Sequence, residues 1–496
     1  MKKFQINSLN NNKTFYFFII SISILLHLIA ISYQPVNDEF IFFKGADFIF
    51  SFQKDIINIF FEYNANTLGF SLLIAVLKFV LPFLDTSQIS KLLSISSLFF
   101  FAAASQKIYL IFKPKIKFKF FLILVLLNPL IWNYTFRGIP DAFSASICLF
   151  SIFYILGNNK LNKNLIYISI FSFGVIIKPF NAILILLIFY FHFFEKRQKH
   201  FLKILILFLL LIFFYFSLNF LIFNFLITPH NFSNVFEPNI NKYFITLINY
   251  LGFLFFLGYP FFIKTISNSF PKKIYYNLFF YIILFLISYI LSIYFDISLS
   301  EMNFGYISGY ISTNFFEAFI IFNCFLIFFV FIITLKKKAK KSILLLTLIL
   351  IFTLIMSFTH SAQRYLMVLV PLVYVYFNSQ TTKKYLISIF ILLYMVVNLL
   401  IFGNLYNNNK VISEIVLYLN NNKILNKTNP GYIGQHALNN FTKFHHNKLK
   451  IKKSDIFNDK LYTIVDKKPL QDNIVLYEAV SRFMFIERKL FLIKNL

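Results

Sequence analysis

Apolar runs of about 15–22 residues recur along the first four-fifths of this chain, separated by short lysine-rich stretches. About 20 apolar residues are enough to cross the hydrocarbon core of a bilayer as a helix. A soluble domain would not expose so much apolar surface. Runs as continuous as ILILFLLLIFFYF (204–216) lack the alternation of polar and apolar residues that a membrane β-barrel needs. The sequence therefore predicts an all-α, polytopic transmembrane helical bundle.

The excess of positive charge in this chain is best explained as a signal for the orientation of membrane helices. The formal net charge is +28, but only 13% of the residues are charged, and most lysines and arginines lie in short loops between apolar runs. No compact basic domain is present, so nucleic acid is excluded as a partner. The two cysteines, Cys148 and Cys324, lie inside apolar runs and predict neither a disulfide framework nor a metal site.

The loops alternate between basic and nearly neutral. Because positive loops stay in the cytoplasm, we expect a cytoplasmic N-terminus and an extracytoplasmic C-terminus, in the bacterial inner membrane. The basic stretches are 113–119, 158–164, 195–203, 264–273, 336–341 and 381–384. This path predicts about 13 spans, at roughly 14–33, 88–112, 119–133, 140–156, 164–177, 179–194, 202–222, 246–263, 274–294, 317–335, 342–358, 365–379 and 385–402.

Two regions fall outside this pattern. The apolar segment 67–84 would invert every later loop if it spanned, so we expect an interfacial or re-entrant helix in the first outer loop (34–87), with Lys78 snorkelling. Residues 403–496 are polar and predict a small extracytoplasmic domain or tail beside the transmembrane domain (1–402). The stretch 473–493 fits an amphipathic helix or two short strands.

Most of the unusual polar residues fall on the predicted outer side. The candidates for function are Asp38, Glu39, Glu62, Arg137, Asp141, Lys178, His360 and Arg364. Cations neutralise a phosphate, and a carboxylate acts as a general base or holds a divalent metal. Their collection at the membrane edge suggests a phosphorylated lipid. Asp141 follows Pro140 and has the alternative of capping a helix.

Several segments carry a resemblance to a known family. In order they are NDEFIFFKGAD (37–47), FFEYNANTLGFSLLIAV (60–76), RGIPDAFSASICLF (137–150), GVIIKPFNAILILL (174–187) and QRYLMVLVPLVY (363–374). Together they resemble the GT-C superfamily of integral-membrane glycosyltransferases, above all its protein O-mannosyltransferases and bacterial aminoarabinose transferases of lipid A. The stretch HSAQRYL (360–366) is also similar to mannosyltransferases of lipid-linked glycans, so the branch stays open.

The resemblance implies a reaction and roles for the candidates. A sugar would pass with inversion from a polyprenyl-phosphate donor to a lipid, glycan or protein acceptor. Asp38 would be the general base with Glu39 beside it, and Glu62 the ligand of any divalent metal. The family's Lys-Pro-Pro after the second glutamate is here Tyr-Asn-Ala (63–65). The phosphate would therefore depend on other cationic or polar residues: Arg137, Lys178, Arg364 and His360.

Two rival functions remain. A transporter or flippase of a lipid-linked or anionic solute would show repeat symmetry and charges near the bilayer midplane, whereas these charges cluster at one edge and no repeat is visible. A polysaccharide polymerase would share the donor but centre on a large outer loop. The absence of a WWD motif argues against transfer of a whole oligosaccharide to asparagine.

Overall fold

The chain is described here by a computed structural model, and the fold is mostly helical. The described residues are 20–33, 39–50, 69–158, 160–194, 200–223, 240–269, 274–295, 313–336, 340–358, 363–377, 384–424, 427–429, 462–465, 474–483 and 486–494. The helices are α1 (Ile20–Ala30), α2 (Glu39–Phe50), α3 (Gly69–Val80), α4 (Thr86–Phe112), α5 (Phe118–Leu126), α6 (Pro129–Thr135), α7 (Pro140–Leu156), α8 (Leu161–Ile177), α9 (Ile185–Phe193), α10 (Phe201–Phe223), α11 (Ile240–Ser269), α12 (Ile274–Phe295), α13 (Thr313–Lys336), α14 (Lys340–Ser357), α15 (Val370–Phe377) and α16 (Lys384–Asn421). Two 3-10 helices, Pro179–Leu184 and Gln363–Leu369, precede α9 and α15.

Long apolar helices indicate an integral membrane protein. Within the described residues, four helices are long and apolar enough to cross a membrane, at Thr86–Phe112, Phe201–Leu218, Tyr243–Phe261 and Leu386–Asn421, and the bent pair α5–α6 would make a fifth. In the other apolar helices, the portions whose side chains the structure describes have 10–17 residues. Since 17 helical residues rise only about 25 Å, they fall short of a hydrocarbon core of about 30 Å. The described part of the chain therefore shows four or five candidate spans, whereas the sequence predicts about thirteen over the whole chain.

The helices nevertheless lie where the apolar runs predicted them. α7 has the predicted bounds 140–156, and α8 and α10 differ from their predicted spans by three residues or fewer. The predicted span 385–402 is longer than expected, because α16 continues without a break to Asn421.

The predicted span 119–133 is broken into two helices, α5 and α6, bent by 51°. Pro129 begins α6, and Asn128 caps it by accepting a hydrogen bond from the Leu130 amide at 3.0 Å. Backbone groups freed by such a break must find partners inside the protein. Asn398 Nδ2 donates to the Leu127 carbonyl at 3.0 Å, so α16 satisfies one of them.

The segment predicted to be interfacial contains α3, a helix of 12 residues packed against α2 and α4. One face is buried, whereas Val76, Phe79 and Val80 are more than half exposed. Lys78 Nζ donates to the carbonyls of Pro82 and Leu84, at 2.9 and 2.6 Å, so its ammonium is bound to the turn that follows its own helix. Helix α3 is too short to span the bilayer, which agrees with the predicted exclusion of 67–84 from the spans.

The C-terminal region adds a small sheet to the helical bundle. Strands β2 (Tyr462–Val465), β4 (Ile486–Lys494) and β3 (Ile474–Phe483) are antiparallel in that order, and a two-residue strand β1 (Thr428–Asn429) pairs in parallel with β2. The stretch 473–493 therefore forms strands, one of the two predicted alternatives. The sheet packs on the last turns of α16, where Val411, Ile415 and Leu419 contact its apolar face.

Candidate functional site

Three charged side chains singled out by the sequence meet at one end of the bundle. Lys178 Nζ lies 3.5 Å from Asp141 Oδ1, and Arg364 Nε lies 3.6 Å from the same oxygen. The side chains of Asp141, Lys178 and Arg364 are 3%, 4% and 18% exposed. Both distances exceed the roughly 2.7–2.9 Å of a charge-assisted hydrogen bond. Two cations are thus drawn to one buried carboxylate without a tight bond to it.

Two prolines place Asp141 and Lys178. A residue before proline is pushed out of the helical conformation, and Lys178, which precedes Pro179, is extended with φ −142° and ψ 98°. Helix α8 therefore ends one residue earlier. Pro140 is suited to the first position of α7, so Asp141 lies in the first turn of that helix.

The position of Asp141 also settles its local role. The cap position of α7 is occupied by Ile139, which makes no side-chain cap hydrogen bond. Asp141 follows it in the helix and pairs with the two cations instead. The alternative that Asp141 serves as the cap residue is therefore wrong.

A short hydrogen-bond chain holds α7 and α8 together behind the charges. Asn181 Nδ2 donates to Ser144 Oγ at 2.7 Å, and Ser144 Oγ donates to the Gly174 carbonyl at 2.7 Å. A Cβ atom at Gly174 would lie 2.5 Å from Cys148 Sγ. The close approach of the two helices thus requires glycine at position 174, and it fixes the elements that carry Asp141 and Lys178.

Aromatic rings accompany the cations. Lys178 Nζ and Arg364 Cζ lie 5.8 and 5.5 Å from the centroid of the Tyr365 ring. Arg137 Cζ lies 5.3 Å from the centroid of the Tyr134 ring. Cations within about 6 Å of a ring centroid are attracted to its face, so these rings help to orient the positive charges.

The segment that carries Arg137 is pinned to α4. Arg137 is buried in the link between α6 and α7. Ser94 Oγ donates to the Ile139 carbonyl at 3.0 Å, and a Cβ at Gly138 would collide with Ser90 Oγ. The link is therefore held immediately before the helical turn that contains Asp141.

Glu39 lies at the start of α2, 1% exposed, and is attracted electrostatically to Lys91 in α4. Lys91 is 2% exposed, and its ammonium donates to the carbonyls of Ala30, at 3.4 Å, and Tyr33. The sequence analysis missed Lys91. The signal was present, because an ionisable residue inside an apolar helical run usually has a partner or a function.

The remaining candidates, Asp38, Glu62 and His360, lie outside the described residues. Within the described ranges, no three His, Cys, Asp or Glu side chains come together in a group that could hold a metal ion.

Asp141, Lys178 and Arg364 form what we call the charged cluster. This cluster and the basic stretch 113–119 lie at opposite ends of the bundle. Lys91 is near the start of α4, whereas Phe112 ends this helix, about 30 Å further along its axis. The Phe112 ring contacts Phe153, near the end of α7, and Phe191, near the end of α9. Asp141 lies at the other end of α7. This arrangement is consistent with the alternation of basic and neutral loops.

The C-terminal sheet lies at the same end as the charged cluster. Phe483, at the end of β3, packs against Phe402 and Tyr406 of α16, and both of these rings contact Tyr33. Tyr33 in turn accepts the hydrogen bond from Lys91. Helix α16 thus carries the sheet to the part of the molecule where the candidate residues gather.

Comparisons with known proteins add no relative. No protein-family model matches the chain, and neither a curated protein nor a solved structure matches it.

Proposed function

We propose that this protein is an integral-membrane glycosyltransferase of GT-C type. It would transfer one sugar from a polyprenyl-phosphate donor to a hydroxyl of a lipid, glycan or protein on the extracytoplasmic face. One observation carries the proposal: Asp141, Lys178 and Arg364 meet at one end of the bundle. A lipid-linked phosphate lies at the membrane edge, so its binding site needs cations at a helix end.

The electrostatics of the cluster favour an anionic ligand. Among the described side chains, two cations pair with one carboxylate. Lys178 has three N–H donors, more than one carboxylate oxygen at 3.5 Å can use. A phosphate oxygen beside Lys178 and Arg364 would gain charge-assisted hydrogen bonds, each contributing about 1.5–3 kcal/mol. Asp141 would then hold the cations in place for the ligand.

The proposed reaction is a single displacement at the anomeric carbon of the sugar. The acceptor oxygen forms the new bond while the bond from that carbon to the phosphate oxygen breaks, with inversion. Asp38 would take the acceptor's proton. The phosphate leaves with the bonding electrons as polyprenyl phosphate, and Lys178, Arg364 and Arg137 would stabilise its charge.

Three further residues have supporting roles in this proposal. Glu39 would position the base, His360 would contribute to the phosphate site, and Glu62 would be the ligand if a divalent metal accompanies the donor. The partners would be the lipid-linked donor, the surrounding membrane lipids and the acceptor.

The proposal includes a topology. About thirteen spans would cross a bacterial inner membrane, with the N-terminus in the cytoplasm and the C-terminus outside. In a variant without Cys148 and Cys324, cysteines at Asn37, Ser361 and Asn439 should react with a membrane-impermeant thiol reagent in intact cells. A cysteine at Ala339 should not react, and its labelling would overturn the orientation.

The activity itself is tested with purified protein and a polyprenyl-phosphate sugar. Wild type should release free polyprenyl phosphate. Lys178→Gln or Arg364→Gln should raise the donor KM, by about 10–100-fold for the loss of one charge-assisted bond. Lys119→Gln, in the first turn of α5 at the opposite end of the bundle, is the control and should leave KM unchanged. Unchanged KM in both site variants would remove the phosphate from this cluster.

One observation favours the alternative of a transporter. Discontinuous helices often form transport sites, and the broken pair α5–α6 lies beside buried polar side chains. Asn128 Nδ2 donates to Tyr374 Oη at 2.7 Å, which is 3.0 Å from Tyr394 Oη. These groups bond to one another and carry no charge, so the enzyme is the stronger proposal. Flux of a lipid-linked sugar in proteoliposomes, without release of polyprenyl phosphate, would support the transporter.

A further inference from the structure

We propose that Ser144 and Asn181 are positioning residues for Lys178, because together with Gly174 they close a ring of hydrogen bonds around its backbone. The ring would hold the Lys178 ammonium where a lipid-linked phosphate binds. Its use for a phosphate rests on the proposed function, whereas the ring itself lies wholly within the described residues.

The backbone of Lys178 is bonded on both sides. Its amide donates to the Gly174 carbonyl at 3.0 Å, and its carbonyl accepts from the Asn181 amide at 3.1 Å. The first bond closes the last turn of α8, and the second belongs to the 3-10 helix that begins directly after Lys178. Lys178 is thus the junction of two helices, and each of them restricts its backbone.

Two side chains complete the ring. Asn181 Nδ2 donates to Ser144 Oγ at 2.7 Å, and Ser144 Oγ donates to the Gly174 carbonyl that also accepts from Lys178. A hydroxyl has only one hydrogen to donate. Because Ser144 gives its hydrogen to Gly174, Asn181 must turn its NH₂ group toward Ser144. The orientation of the Asn181 amide is therefore fixed.

The ring connects Lys178 to the helix that carries Asp141. Ser144 lies in α7 one turn after Asp141, so the two side chains share a face of that helix. The ring thereby sets where the stem of Lys178 begins relative to Asp141. The Lys178 side chain is only 4% exposed, and close packing leaves such a side chain few rotamers. The anchored stem therefore decides where the ammonium lies, 3.5 Å from Asp141 Oδ1.

Burial makes each bond of the ring matter. Ser144 and Asn181 are both 0% exposed, so water does not replace a bond that is lost. Within the described residues, Asn181 Oδ1 accepts no hydrogen bond. The bond from Nδ2 to Ser144 is therefore the one that holds this side chain, and removal of either partner should loosen the 3-10 helix beside Lys178.

The chain offers a matched control for each side chain. Ser146 lies in the same helix as Ser144 and is equally buried, but its hydroxyl bonds a carbonyl within α7. Asn164, in the first turn of α8, is as buried as Asn181 and bonds a carbonyl of the loop before that helix. Ser146→Ala and Asn164→Leu thus each remove a comparable hydrogen bond without touching the ring.

The test is the Kd of radiolabelled polyprenyl phosphate for the purified protein in detergent, measured beside its melting temperature. Ser144→Ala and Asn181→Leu should each raise the Kd about 2–10-fold, the range for one ordinary hydrogen bond. Ser146→Ala and Asn164→Leu should leave the Kd unchanged, even if they lower the melting temperature as much. Unchanged binding in the ring variants, or an equal loss of binding in the controls, would overturn the positioning role.

A second measurement tests whether the ring acts through Lys178. Lys178→Gln/Asn181→Leu should then bind polyprenyl phosphate no more weakly than Lys178→Gln alone, and multiplied losses would refute the role. Ser144→Ala is the smaller change and serves in the same cycle if Asn181→Leu fails to fold.

The two proposals fail in different ways. If wild type binds polyprenyl phosphate but releases none from the sugar donor, the proposed transfer is wrong and the positioning role stands. If wild type binds no polyprenyl phosphate, the positioning role is overturned.

Discussion

Replacing Asp141 by asparagine should destabilise the protein more than any other single change of charge in the cluster. The substitution preserves the size of the side chain and removes the charge that Lys178 and Arg364 share. The buried Lys178 and the partly buried Arg364 would then both lose their ion pair with this carboxylate. Removing one member of a buried ion pair typically costs about 3–5 kcal/mol, because the remaining charge loses its compensation.

The geometry supports this magnitude. At the observed 3.5 and 3.6 Å and an effective dielectric constant of about 20, each pair gains roughly 4–5 kcal/mol of Coulomb energy. Repulsion between the two cations and the cost of burying three charges offset part of that gain. We therefore expect a loss of about 3–5 kcal/mol. Lys178→Met in the Asp141→Asn background should recover about 1–3 kcal/mol, because it removes a buried cation that has lost its ion pair with Asp141.

The assay is unfolding of the detergent-purified protein, followed by the fluorescence of Trp132. This residue is the chain's single tryptophan, and it is buried beside Ala30 and Phe136. Glu478→Gln is the matched control, because Glu478 pairs with Lys489 at 3.2 Å on the half-exposed surface of the sheet, where screening makes the effect far smaller. A loss below about 1 kcal/mol for Asp141→Asn, or a further loss in the double variant, would refute the reasoning.

Three further predictions concern packing, pH and turnover. Gly174→Ala should cost about 1–3 kcal/mol, because the added methyl group overpacks against Cys148, and Cys148→Ala in the same chain should recover part of the loss in the unfolding assay. Arg482 bonds Glu487 and lowers the pKa of that carboxyl group. The ion pair should therefore stabilise the sheet above the unfolded pKa of about 4.3, and the difference in melting temperature between wild type and Glu487→Gln should vanish as pH falls through the folded pKa. If Asp38 is the general base, Asp38→Asn should lower turnover by about 10²–10⁴-fold with the donor KM retained. Equal release of polyprenyl phosphate by wild type and variant would exclude that role.

The sequence analysis located the helices because the signal for a membrane helix is local. The length and composition of each apolar run are enough to favour a helix that is shielded from water. The helix bounds of 140–156 follow from the run that begins after Pro140. The end of α8 before Lys178 was equally readable, since Pro179 excludes the helical conformation from its predecessor. The lysine-rich loops predicted that Arg137, Lys178 and Arg364 share one side of the membrane, which stays a prediction, and the structure brings Lys178 and Arg364 together at Asp141.

Some features had a local signal that could be read in two ways. The stretch 473–493 fits a helix or strands by periodicity alone, and its pairing with β2 and its packing on α16 select the strands. The run 119–133 is mostly apolar and fits one span, yet the chain bends after Leu127, where Asn398 of a distant helix satisfies a freed carbonyl. Asn128 and Pro129 are a local signal for the start of a new helix, but the partner of the freed carbonyl is known only from the packing of α16.

What the sequence determined by itself is the class of the protein and the positions of its described helices. What only the tertiary structure decided is which of the polar residues meet. Asp141, Lys178 and Arg364 lie in separate segments of the chain. The sequence around each of them does not reveal which residues it pairs with. Lys91 appears in the sequence as one lysine in an apolar helix, and its partners at Tyr33 and Glu39 emerge only when α1, α2 and α4 pack together. The reason is physical: transfer into a membrane depends on the composition of each segment, whereas pairing of buried charges depends on distances that the packing of the whole bundle sets.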